Sequence, residues 1–91
     1  MSDTVKQHMD ICKKLNEIYE QKNRAYGNSF SDTYRELGII SAVTRISDKF
    51  GRLKNLAKNA DIPVGDESIS DTLLDMANYC IMTYMELNKV E

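Results

Sequence analysis

The side chains best suited to chemistry fall into two rows. At 100° per residue, Arg45, Lys49 and Arg52 lie within about 60° of one another on a single helix. A line of cations of this kind suits an anionic ligand such as a phosphate, which guanidinium groups clamp through paired N–H donors and an ammonium holds as a point charge. The second row is Glu67, Asp71, Asp75 and Asn78, spaced four, four and three apart. Asp71 falls in the first turn of its helix, where capping and the helix dipole already explain a carboxylate. Asp75 and Asn78 have no such explanation, and could hydrogen-bond a base or a ribose. Asp71 and Asp75, one turn apart, could also hold Mg²⁺ through water and a substrate phosphate. The two rows could equally pair with each other and neutralise both.

A third feature is the stretch Lys22-Asn23-Arg24-Ala25-Tyr26-Gly27-Asn28-Ser29-Phe30. Gly27 stands where a helix commonly ends in a left-handed residue. The preceding turn carries Lys22 and Arg24, which could assist with phosphates, and Tyr26, which could stack on a base. Upstream, Glu17 and Glu20 form an E-x-x-E spacing, with Lys13 and Arg24 as i,i+4 partners. His8, the sole histidine, has no evident role. No serine or cysteine has a His/Asp set that would make it a nucleophile, and there is no phosphate-loop, dinucleotide or zinc spacing.

Helices must position these residues, because nothing alternates with the period of a strand. One helix is expected over about 4–25, with Val5, Met9, Cys12, Leu15 and Tyr19 as its apolar stripe. A short helical turn is expected near 31–37. A second long helix covers about 39–58, with Ile39, Val43, Ile46, Phe50, Leu53 and Leu56 inward. Gly51 inside it costs about 1 kcal/mol against alanine, so a packing reason is expected. Pro63 and Gly65 mark a loop, and a last helix spans about 68–87, opened by Ser68 and Asp71. Its core stripe reads Leu73, Met76, Ala77, Cys80, Tyr84 and Leu87. A second apolar row, Leu74, Ile81 and Met85 with Met82, needs a partner of its own, and another copy of the chain is the simplest one. The fold class is therefore all-α: a compact bundle of three main helices in one domain, 1–91, oligomerising through the last helix.

Ninety-one residues with a net charge of −2 do not make a general nucleic-acid binder, which is markedly basic. Cys12 and Cys80 fall on apolar helix faces and read as reduced core residues of a cytoplasmic protein. No apolar run reaches the length of a membrane span.

The three motifs K-N-R-A-Y-G-N-S-F, R-I-S-D-K-F-G-R-L-K-N-L and E-S-I-S-D-T-L-L-D-M-A-N-Y together resemble the first family of nucleotide modification associated domains. The resemblance covers residues 15 to 87 and implies a small helical protein of phages or prophages, linked to nucleotide metabolism and working in the host cytoplasm. More distantly, the helical layout is similar to MazG-type all-α nucleoside triphosphate pyrophosphohydrolases, where an E-x-x-E helix and an E-x-x-D helix hold Mg²⁺. Asp71 and Asp75 could stand for the second pair. The facing helix offers Lys49 and Arg52 where that family has carboxylates, and cations bind phosphate without activating water. In size and fold class the chain is also similar to phage sponge proteins, which oligomerise and sequester nucleotide immune signals.

Three readings follow. The favoured one is a protein that binds a nucleotide or cyclic nucleotide without cleaving it and without a cofactor, through Lys22, Arg24, Tyr26, Arg45, Lys49, Arg52, Asp75 and Asn78. The second is a Mg²⁺-dependent pyrophosphohydrolase using Glu17, Glu20, Asp71 and Asp75. The third is a structural helical oligomer whose charged rows pair with each other.

Overall fold

A computed structural model describes residues 3–59 and 68–89. They form four helices and no strand: α1 (Asp3–Tyr26), α2 (Ser29–Leu37), α3 (Ile39–Lys58) and α4 (Ser68–Leu87). The bounds of α3 and α4 match the expected ones, and α1 is longer by one residue at each end. The expected turn near 31–37 is a nine-residue helix that starts earlier, at Ser29. Its first backbone bond runs from the Asp32 amide to the Asn28 carbonyl at 2.9 Å. The loop around Pro63 and Gly65, and Glu67 of the acidic row, lie outside the described residues.

Two glycines make the corners. Gly27 (φ 62°) ends α1, its amide bonded to the Asn23 carbonyl at 2.7 Å. Gly38 (φ 79°) divides α2 from α3, its amide bonded to the Tyr34 carbonyl at 2.7 Å. Both occupy the region where a Cβ is costly and glycine is not. Gly51 is different. It lies within α3 with nothing within 4 Å of where a Cβ would stand, so no close approach explains it.

The main packing is α4 along α3, with α2 set against α3 and α1 against α4. Lys49 meets Asp75 and Arg52 meets Thr72, so positions rise along α3 as they fall along α4. The pair is antiparallel.

The inward face of α4 differs from the expected one. Thr72, at 2% exposure, and Thr83 are buried, and Asp75, Tyr79 and Glu86 share their side of the helix at steps of three and four. The expected core residues Leu73, Cys80, Tyr84 and Leu87 are exposed, while Met76 and Ala77 are half-buried. The reason lies in α3: its facing side carries Lys49 and Arg52, which need polar partners once partly desolvated. Thr83 satisfies its own hydroxyl by donating to the Tyr79 carbonyl at 2.7 Å. Of the second apolar row, Ile81 and Met85 are exposed and Leu74 and Met82 half-buried.

In α1 only Leu15 of the expected stripe is buried, with Tyr19 half-buried; Val5, Met9 and Cys12 are exposed. Both cysteines are thus surface thiols, not core residues. They are exposed because α1 meets α4 only in its C-terminal half and α4 turns Cys80 away from α3. Among the described residues, no helix is long and apolar enough to cross a membrane.

Candidate functional site

The C-terminal half of α1, the start of α2, Arg45 of α3 and the C-terminal half of α4 enclose a cleft of about 530 Å³. Its size suits a small molecule. Lys22 and Tyr26 project from the last turns of α1 because they are one turn apart, and the Gly27 corner brings Phe30 in beside them.

Asp75 is the electrostatic centre of this wall. Its two carboxylate oxygens accept from Lys22 Nζ at 2.9 Å and Lys49 Nζ at 3.1 Å. Its side chain is only 24% exposed. Burial alone would raise the Asp75 carboxyl, but the hydrogen bonds from Lys22 and Lys49 outweigh it and hold the group below the ordinary carboxylate range. The same hydrogen bond to Asp75 raises the Lys22 ammonium, against a smaller opposing effect of partial burial. Asn78, one turn on, donates to the backbone carbonyl of Leu15 at 3.1 Å and so ties α4 to α1.

Arg45 behaves differently from its two neighbours in the row. Lys49 is spent on Asp75, and Arg52 Nε donates to Thr72 Oγ1 at 3.3 Å. Arg45 lines the cleft and makes no hydrogen bond or ion pair among the described residues. The three cations expected to act together therefore divide into two that join helices and one that faces the cleft.

The far wall is aromatic and closes on a second polar cluster. Phe30 and Tyr79 stack with ring centroids 6.1 Å apart and planes at 26°, and Tyr19 and Met82 continue the apolar lining. Glu86, with a side chain only 3% exposed, pairs with Lys89 and accepts from Ser31 Oγ at 3.2 Å. Lys89 Nζ also donates to Ser31 Oγ at 3.2 Å, so α2 is fastened to the end of α4.

Five of the residues singled out from sequence therefore line the cleft: Lys22, Tyr26, Arg45, Asp75 and Asn78. Lys49 and Arg52 stand behind it, between α3 and α4. Arg24 is turned away and pairs with Glu20 at 2.6 Å; the other expected pair on α1, Lys13 with Glu17, does not form. Sequence reasoning missed Tyr19, Phe30, Ser31, Tyr79, Glu86 and Lys89. The aromatic pair Phe30 and Tyr34, one turn apart in α2, was the one available signal that this helix turns an apolar side inward.

The carboxylates of a pyrophosphohydrolase do not converge. Of Glu17, Glu20, Asp71 and Asp75, only Asp75 lines the cleft, and both its oxygens are taken by lysines. Among the described residues no three His, Cys, Asp or Glu side chains gather as metal ligands would. The described carboxylates of the cleft are thus engaged by lysines and not grouped as Mg²⁺ ligands are.

Fold and cleft together define a small all-α protein with a cationic and aromatic pocket at one end of its helix layer. The model of nucleotide modification associated domain 1 matches residues 22–87, and the chain belongs to that family. No curated protein and no solved structure matches it.

Proposed function

We propose that the cleft binds a phosphate-containing nucleotide, linear or cyclic, and holds it without cleavage. The observation that carries this reading is the combination in one cleft of Arg45, a cation without a partner among the described residues, with an aromatic wall built from Phe30 and Tyr79. Arg45 meets the phosphate, and Lys22, which keeps its bond to Asp75, adds positive charge to the same wall. The base lies against the aromatic lining, with Tyr26, 71% exposed at the rim, free to close over it. Stacking of a base on an aromatic ring is tolerant of sequence and contributes about 1–3 kcal/mol. Asn78 and Asp75 stay with their helix partners and shape the floor.

The family's description points to nucleotides as the ligand class, which favours this reading over a generic anion site. A sponge-like role, in which a small phage protein removes a nucleotide signal, needs only binding of this kind. The dispersed carboxylates weigh against the pyrophosphohydrolase alternative.

The test is incubation with linear and cyclic nucleotides, with and without Mg²⁺, followed by denaturation and chromatography of the supernatant. Depletion of one ligand and its recovery unchanged is the expected result. Conversion to monophosphate and pyrophosphate would replace this reading with the enzyme. No depletion across the panel would leave a structural role.

A further inference from the structure

The antiparallel α3–α4 layer has two unlike sides. One side carries α1 and the cleft, held by Lys22 on Asp75 and by Asn78 on Leu15. On the other side lie Ile39, Val43 and Phe50 of α3, and Ile69, Leu73, Cys80, Tyr84 and Leu87 of α4. On each helix this row stands roughly a quarter-turn round from the residues facing the other helix, in the same rotational sense. In an antiparallel pair, equal rotations of that kind bring both rows to one side.

The large apolar residues of these rows are between 44 and 68% exposed. Together they offer on the order of 600 Å² of apolar surface, at the upper end of the largest patch a soluble monomer shows and comparable with the apolar part of one side of a standard protein interface. Lys54 borders them, its ammonium 5.0 Å from the centre of the Phe50 ring. The radius of gyration, 15.1 Å, exceeds the roughly 12 Å of a globular domain of this length, in keeping with a thin layer from which the N-terminal half of α1 projects.

We infer that this face is closed by the same face of a second copy, so that two α3–α4 layers form a four-helix bundle. A second copy fits better than a foreign partner. The surface is apolar on both of its helices and so matches itself under a two-fold axis, and its described residues offer no charge pattern that an unlike partner would complement. α1 cannot serve as the cover, because its contacts hold it to the opposite side of α4. The two clefts then lie back to back and face outward, each complete within one chain. This is not the row Leu74, Ile81 and Met85 that the sequence marked for association. It is the row the sequence assigned to the chain's own core.

The two cysteines supply an internal test on the unaltered protein, since Cys12 is on α1 and Cys80 lies within the proposed interface. Equilibrium sedimentation at micromolar concentration is expected to give a dimer. Alkylation followed by mass spectrometry is expected to modify Cys80 at least about tenfold more slowly than Cys12, with the difference vanishing on dilution. Leu73→Glu with Tyr84→Glu is expected to weaken association at least about thirtyfold with helical circular dichroism retained, whereas Ile11→Glu on α1 leaves it unchanged. A monomer, or a Cys80 as reactive as Cys12 in the associated state, overturns the inference. So does loss of the dimer on Ile11→Glu. None of these readings depends on whether the cleft takes a nucleotide.

Discussion

Lys22 and Asp75 are fifty-three positions apart in sequence and 2.9 Å apart in space, and their ion pair is what brings the end of α1 against the middle of α4. Lys49 shares the same carboxylate from α3, so one side chain joins three helices.

Asp75→Asn is accordingly expected to cost about 1 kcal/mol at neutral pH, a modest figure because Lys22 is largely exposed. The Asp75 carboxyl is lowered on folding, so its contribution is present above the unfolded-state value near about 4 and is lost as pH falls through the lower folded value. Urea unfolding of both proteins from pH 7 down to pH 3 checks this. The difference between them should shrink toward the acid end. A constant difference would mean that the Asp75 charge is not its source.

Lys22 titrates with the opposite sign. Its ammonium is raised on folding, so its stabilisation is complete below about pH 10 and is lost as pH rises through the folded value. Lys22→Met should therefore lose its stability deficit against the unaltered protein only in strong alkali, as read by thermal unfolding across that range.

Arg45 and Lys49 sit one turn apart on α3 yet should respond differently to truncation. If the cleft takes a nucleotide as proposed, Arg45→Ala is expected to weaken its affinity by tenfold to about a hundredfold, through loss of a charge-assisted phosphate contact, with little change in melting temperature. Lys49→Ala is expected to lower the melting temperature first, because it breaks the α3–α4 pair with Asp75. Calorimetric titration alongside thermal unfolding separates the two. Equal behaviour in both measurements would show that Arg45 is not the cleft's phosphate group.

Gly51 within α3 and Gly38 just before it provide a matched pair. Gly51→Ala meets no atom within 4 Å and replaces a poor helix former, so it should stabilise by about 0.5–1 kcal/mol. Gly38→Ala also meets no atom, but φ of 79° places its Cβ in the left-handed region, and a loss of about 1–2 kcal/mol is expected. Chemical denaturation reads both directly.

Helix existence and extent were legible in the sequence because apolar spacing and glycine act locally. Gly27 and Gly38 fall at the two corners, and the bounds of α3 and α4 follow from periodicity together with the Gly38, Pro63 and Gly65 breakers and the Ser68 start. The facing of α4 was not legible. Its apolar residues run most of the way round, so the inward side was decided by what α3 presents, and Thr72 and Asp75 met Arg52 and Lys49. The site was legible in the same measure. Lys22, Tyr26 and Arg45 stand on motifs that mark a pocket wall, whereas Phe30, Tyr79 and Glu86 reach the cleft only through contacts between α2 and α4, which no local pattern records.

The corner between α1 and α2 also bears on how fast a ligand comes and goes. Only Gly27 and Asn28 separate the two helices, and both ends of that step are fastened by backbone bonds. Tyr26 at the rim and Phe30 in the wall therefore stand on stiff supports, and this edge can widen only if a whole helix swings. Rim side chains that merely rotate leave entry close to the diffusional encounter rate, so the lifetime of a complex would be governed by its escape rate. Different nucleotides would then compete at this cleft by residence time far more than by speed of capture.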